Sequence, residues 1–215
     1  MFQGLMTIAI TDAITTLAEA EVRFQLTRSE DETVFLEWQL PLPDLTPTEQ
    51  GALAEVRRRY LYQRSQGQLL EGMVILLMVA PLLAIAGFYD PPFRVRSEAS
   101  VQLTLADEEE VLQGRIDVLV LLDRFWVVVV ESKKTALSVW VALPQALAYL
   151  MANPLPERPS FAMITNGDEF LFVKLVQQPQ GYYALSRVFT SFTSHREFET
   201  TLQVLKRIGE VMLAS

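Results

Sequence analysis

Residues 114–134 read GRIDVLVLLDRFWVVVVESKK. The middle of the segment is apolar and largely β-branched, and Asp123-Arg124 divides it into two runs. Such runs read as two strands, at about 115–122 and 125–132, covered on both faces. Asp117 stands near the start of the first strand, and Glu131 and Lys133 stand at the end of the second. An unpaired charge in a sheet core costs on the order of several kcal/mol. These three charges therefore need a reason to sit beside buried strands.

Strand parity limits how they can meet. Glu131 and Lys133 are two apart and share a face, as do Arg115 and Asp117. A plain two-residue turn at Asp123-Arg124 sets Asp117 across from Val130, on the wrong face. An odd loop, or a bulge, sets Asp117 across from Glu131. The reading therefore predicts an odd loop or a bulge in this hairpin. Two carboxylates so placed repel, and a divalent cation is one way to keep both ionised. Two side-chain oxygens plus a backbone carbonyl leave room for the waters that Mg²⁺ keeps. Such an ion can acidify a water and neutralise phosphate charge. Lys133 could orient that water or stabilise the transition state.

Composition narrows the chemistry. The 215 residues are half hydrophobic and one-fifth charged, which suits one domain with a sizeable core. There is no cysteine, so disulfides and thiolate metal sites are excluded. The single histidine, His195, excludes a histidine pair or cluster. Any metal here is hard and oxygen-bound, Mg²⁺ or Mn²⁺. A net charge of −8 makes general attraction to nucleic acid weak, so a polyanion would need a local patch or bound cations. No basic segment opens the chain, and a cytoplasmic protein without a membrane span is expected. The apolar stretch 73–88 is broken by Pro81 and is shorter than a span needs.

The rest of the chain supplies the frame. Residues 12–25 have helical composition, and 28–45 are irregular. Thr46-Pro47-Thr48-Glu49 is a capping box that opens a helix to about Gln63, carrying Arg57, Arg58, Arg59 and Arg64. A second helix, about 68–86, stops at Gly87. Residues 93–105 alternate as a half-exposed strand, and Asp107 to Glu110 read as a solvated turn. A helix over about 137–152 contains Pro144 as a kink or a late start. Strands follow at 160–166, 169–176 and near 182–188, with Asn166-Gly167-Asp168 as a turn. Ser194 and Glu197 read as a second capping box, opening a helix to about Met212. The expected architecture is a single α/β domain with a central mixed sheet flanked by helices. It divides into a helical N-terminal extension (1–66), a core (68–190) and a C-terminal helix (194–215).

Asp117 followed by Glu131-x-Lys133 resembles the PD-(D/E)XK nuclease superfamily. Gly114-Arg115-Ile116-Asp117 resembles the G-R-x-D of the nuclease domain in type I restriction enzyme R subunits. Gln145 and Tyr149 resemble a QxxxY motif on the following helix, where i, i+4 spacing puts both on one face. The order helix–strand–strand–strand–helix–strand over 68–176 is similar to that superfamily's core; its proline before the aspartate is replaced here by Ile116. The resemblance implies a restriction-endonuclease-like fold and Mg²⁺- or Mn²⁺-dependent cleavage of DNA. It implies Asp117, Glu131 and Glu71 as metal ligands, and Lys133 and Gln145 as catalytic groups. Arg115, Tyr149 and Lys134 would contact substrate.

Each feature also has a structural reading. Asp117, Glu131 and Lys133 could be an ion pair at a strand end, Glu71 a helix-dipole partner, and Gln145 and Tyr149 plain helix surface. Arg115 could pair with an acid. The arginines at 57–64 could grip phosphate, but a solvated face paired with acids is the better reading. Trp126 and Trp140 are expected in the core. A catalytically silent nucleic-acid-binding module is the main alternative, and a scaffold whose helices 12–25 and 68–86 build a homodimer is a third.

Overall fold

The computed structural model describes residues 6–39, 41–104, 110–122 and 125–214. The long apolar runs form the strands of one mixed sheet. Its main path runs β1 (Met6–Ala9), β4 (Glu110–Leu122), β5 (Phe125–Ser132), β6 (Ser160–Thr165), β7 (Glu169–Val176), β8 (Tyr182–Leu185) and β2 (Thr27–Arg28). β3 (Phe93–Thr104) pairs with β4, and β9 (Phe189–Thr190) pairs with β7. β5 and β6 are parallel, so the chain must cross over between them. That crossover carries α6 (Leu143–Met151).

Helices cover both faces. On one side α1 (Ile10–Ala13), α2 (Leu17–Phe24) and α6 pack through Ile10, Phe24, Leu147 and Tyr149 onto Ile116, Leu119, Ile164 and their neighbours. On the other side lie α3 (Pro47–Arg64), α4 (Glu71–Val74), α5 (Ala80–Ile85) and α7 (His195–Ala214). They bury Leu53, Val74, Leu82 and Leu205 against Val118, Val120, Phe161 and Phe172. The apolar faces of α2 and of the 71–85 helix are thus covered largely within the chain, although Val22 of α2, Leu70 at the cap of α4 and Leu76 stay exposed.

Local chemistry explains the helix boundaries. Thr46 and Glu49 form the expected reciprocal cap of α3, and Thr16 and Glu19 form a second one at α2. The helix from Glu71 is not uniform. A π-helical stretch, Ile75–Val79, separates α4 from α5, and the Ala80 N–H donates to the Ile75 carbonyl. The wide turn precedes Pro81, whose ring and missing N–H do not fit a regular ladder. Pro144 lies in the first turn of α6, after a 3₁₀ turn at Val139–Ala142, so the late start is the observed one. Among the described residues, no helix is long and apolar enough to cross a membrane.

Three expectations need correction. The N-terminal extension is not purely helical: β1 runs parallel to β4 and β2 parallel to β8, so both join the sheet. Short strands without strong alternation gave no periodic signal there. At α7 the Glu197 N–H donates to Ser194 Oγ, but the Glu197 carboxylate accepts from Arg187 and the Thr190 N–H instead of closing a capping box. Trp140 is half-exposed because it sits in the 3₁₀ turn ahead of α6, while Trp126 packs against the core. Of the expected acidic turn, 107–109 lie outside the described residues, and Glu110 begins β4.

The arginine-rich helix serves the fold. Arg57 donates to the Ser191 and Phe192 carbonyls, and Arg58 and Arg59 hold Glu55. Arg64 and Tyr60 both reach Asp168, in the turn between β6 and β7. Gly167 in that turn has φ +89°, and a Cβ there would meet the Tyr60 hydroxyl at 2.5 Å. The turn therefore needs glycine for its backbone and for the tyrosine above it.

Candidate active site

The hairpin of β4 and β5 contains the expected bulge. Leu122 pairs with Phe125 and Leu121 with Trp126, but Val120 pairs with Val128, so the register shifts by one. Beyond the bulge, Val118 lies across from Val130. One further step in that register sets Asp117 across from Glu131. Glu131 also pairs with Ile164 of β6, whose side chain packs under α6. Parallel neighbours share a face, so Glu131 faces α6.

Asp117 reaches that face through a break in alternation. Ile116 packs with the α6 layer, and two residues later Val118 packs with the opposite layer. A regular strand would keep both on one face. β3 shows the same switch: Val95 packs with the layer opposite α6, and Ala99 with the α6 layer. The ladder between the two strands pairs Ser97 with Val118 and Ala99 with Ile116, and skips Glu98 and Asp117. Glu98 has φ +50°, in the left-handed region that non-glycine residues seldom adopt. Had β4 alternated regularly from Ile116, Asp117 would lie on the face away from Glu131. The irregularity at Glu98 and Asp117 is what brings the two carboxylates to one face.

The sheet also forks here. β1 pairs with β4 only at Glu110–Gln113, and β5 pairs with it only from Val118 onward. Among the described residues, 114–117 have no strand partner on that side. The Tyr149 hydroxyl fills part of the gap by donating to the Arg115 carbonyl at 2.9 Å. Gln145 Nε2 donates to the same hydroxyl at 2.6 Å. Tyr149 is buried, and burial pushes its phenol up to about 12, so it remains a donor near neutral pH. Gly114 makes this approach possible: a Cβ there would lie 2.6 Å from Tyr149 Cε1 and 2.9 Å from Ile10 Cδ1. Gly114→Ala is expected to cost about 1–3 kcal/mol by overpacking. Urea unfolding would measure it, and the penalty should shrink in a Tyr149→Leu background that removes the ring.

Lys133 completes the chain of contacts. Its Nζ donates to Glu131 Oε1 at 2.6 Å and to Gln145 Oε1 at 3.3 Å. Glu131 is 2 % exposed, and its Oε2 is buried without a hydrogen-bond partner. Burial, and then the charge of Asp117, push the Glu131 carboxyl up to about 7, against the pull of Lys133 and with a smaller push from Glu71. A buried carboxyl beside a second carboxylate, with one oxygen unpartnered, fits a hard divalent cation. Among the described residues, however, no three His, Cys, Asp or Glu side chains are grouped to hold a metal. Glu71 is exposed at the start of α4 and does not close a three-carboxylate cage.

The other candidates lie around this centre. Reciprocal bonds between Leu69 and Thr135 tie the start of α4 to the segment after β5. Lys134 and Glu71 thereby line one open cavity of about 360 Å³ with Leu70 and Gly72. Arg115, Gln145 and Tyr149 line another of about 350 Å³. Arg115 does not share a face with Asp117 as expected. It lies between Gly114 and Ile116, which both face the α6 layer, so the break that turns Asp117 to that face leaves Arg115 on the other. It pairs with Glu98 at 3.4 Å, both side chains largely exposed. Glu98 and the fork were not read from the sequence; an acid in an alternating strand gives no sign of its backbone angle. The close packing behind Gly114 was also missed, although a glycine inside a strand is a signal of close approach.

Fold and site together define a mixed α/β domain with a carboxylate pair and a lysine at a forked strand end. The chain belongs to the family of the type I restriction enzyme R protein N terminus (HSDR_N), whose model matches residues 53–181. That span holds every candidate residue named above. A solved chain described as a fragment of an HsdR subunit of a type I restriction enzyme from Vibrio vulnificus YJ016 is 22% identical, with a TM-score of 0.41. The match covers 63% of this chain and 26% of that one, so this chain spans about a quarter of that relative's length. A comparison with curated proteins finds no match.

Proposed function

We propose that this chain is a metal-dependent nuclease domain that hydrolyses DNA phosphodiester bonds, acting in the cytoplasm. The observation that carries the reading is the β4–β5 register, which pairs Val118 with Val130 and, continued by one step, sets Asp117 across from Glu131 on the α6 face, with Lys133 bonded to Glu131. Membership of a restriction-enzyme family supports DNA as the substrate. Asp117 and Glu131 would hold Mg²⁺ or Mn²⁺, with Glu71 assisting from the rim. When bound, that ion would acidify a water and neutralise charge on the phosphate. Lys133 Nζ, bonded to Glu131 and Gln145, would stabilise charge that develops on the phosphoryl oxygens. Gln145 holds Lys133 and Tyr149 together, and Tyr149 fixes the β4 backbone beside Asp117. Arg115 and Lys134 would meet the flanking phosphates.

Nicking of supercoiled DNA with Mg²⁺ or Mn²⁺ tests this directly. Lys133→Ala is expected to lower the rate about 10²-fold or more while Mn²⁺ binding persists. Cleavage that is independent of metal, or unaffected by Lys133→Ala, would overturn the assignment. A second reading, a DNA-binding module with the same fold and little turnover, has one observation in its favour. It is the absence of a three-ligand metal group among the described residues. Metal-dependent DNA binding without nicking would select it.

A further inference from the structure

We infer that Arg94 and Arg96 of β3 form a binding ladder for the DNA phosphate backbone beside the scissile position, an assignment that rests on the nuclease reading. β3 pairs only with β4 among the described residues, so its outer edge is open. Arg94 pairs across to Leu121 and Arg96 to Leu119. Directly paired residues share a face, and Leu119 and Leu121 both pack in the α6 layer. Phe93 and Val95 pack in the opposite layer. The two arginines therefore stand on the face that carries Asp117 and Glu131.

Their spacing from the carboxylates follows from the register. Asp117 is two residues from Leu119, so Arg96 is its diagonal neighbour on the adjacent strand, with Cα atoms about 7–8 Å apart. Arg94 lies one same-face step further out. Both side chains are exposed, and their stems can lie over Leu119 and Leu121 while the guanidinium groups stay in water. Neither forms an ion pair among the described residues. Other arginines are tied: Arg58 and Arg59 to Glu55, Arg64 to Asp168 and Arg187 to Glu197. In a chain of net charge −8, two arginines left exposed beside a carboxylate pair are a local cationic patch suited to a polyanion. Guanidinium groups suit phosphate oxygens in particular. The backbone would thus run from the carboxylates outward along β3.

The face switch at Glu98 bears on the same point. It ends the cationic row: beyond it Ala99 and Val101 occupy the α6 face, and the arginine–apolar alternation is inverted. The ladder is therefore confined to the segment before the switch.

The test compares Arg94→Gln/Arg96→Gln, which keeps the side-chain bulk, with Arg58→Gln/Arg59→Gln on α3, which removes the same charge elsewhere. Binding of a DNA duplex is measured by anisotropy in Ca²⁺ across a salt series, with Mn²⁺ binding as a check on the carboxylates. The β3 variant is expected to bind about tenfold more weakly, with a salt slope lower by about two and Mn²⁺ affinity unchanged. The α3 variant should keep the wild-type slope. Equal behaviour of the two variants, or wild-type affinity in both, would overturn the ladder while leaving the nuclease reading intact. A wild-type chain that neither binds nor nicks DNA would remove the nuclease reading, and the ladder with it.

Discussion

Glu131→Gln is expected to make the metal-free protein more stable above neutral pH, while lowering metal-dependent nicking on the order of 10³-fold. Both effects have the same cause. Glu131 is buried, its Oε2 has no partner, and Asp117 repels its charge. Its carboxyl sits at about 7 in the folded chain, against the ordinary 4.5. The folded state thus holds this proton more tightly than the unfolded state. The associated stability is full below about 4.5, and it is lost as pH rises through about 7. That interval corresponds to an upper value of about 3 kcal/mol. The glutamine amide keeps the shape and an oxygen for Lys133, and it does not ionise.

Urea titrations from pH 4 to 9 would separate the outcomes. The two stability curves should converge at low pH and diverge above neutrality, with the variant higher. Mn²⁺ should then reverse the order, since it can compensate the ionised carboxylates of the wild-type chain only. The proton and the metal compete for one group, so Mn²⁺ affinity should rise with pH up to about 7 and level off beyond it. Parallel stability curves would mean that Glu131 ionises at an ordinary pH. Equal stabilisation of both proteins by Mn²⁺ would place the metal elsewhere.

Much of this centre was legible because strand parity is a strict rule. Charges at 117, 131 and 133 can meet on one face only if the hairpin contains an extra residue, and the bulge supplies it at Val120/Leu121. The caps at Thr46 and the terminating Gly87 were legible for a similar reason, since each depends on a few adjacent residues. What escaped the sequence depends on distant partners. The strand nature of Met6–Ala9 is decided by Glu110–Gln113, far along the chain. The service of Tyr60 and Arg64 to Asp168 is decided by a turn over a hundred residues away. The left-handed backbone at Glu98 is decided by two strands that switch faces together, and no local pattern marks it.

That switch makes the second large prediction. Glu98→Val is expected to lower Mn²⁺ affinity at least about tenfold and to reduce nicking in step. A β-branched residue strongly disfavours the left-handed region, where even an ordinary side chain costs about 1 kcal/mol or more. Valine instead favours extended backbone, in which β3 would alternate through position 98. The skipped pair with Asp117 would then form, and continuing alternation from Ile116 would turn the Asp117 carboxylate to the face opposite Glu131. Glu98→Gly keeps the required angle at no steric cost and should preserve Mn²⁺ binding with equal or slightly higher stability. Glu98→Gln removes the exposed pair with Arg115, a contact worth little, and should leave metal affinity near wild type. Calorimetric Mn²⁺ titration of the three variants therefore separates backbone from charge. Loss in Val alone supports the switch as the device that assembles the site. Loss in Val and Gln together, with Gly also weak, would show that the Glu98 carboxylate acts through its charge and that the backbone angle is incidental.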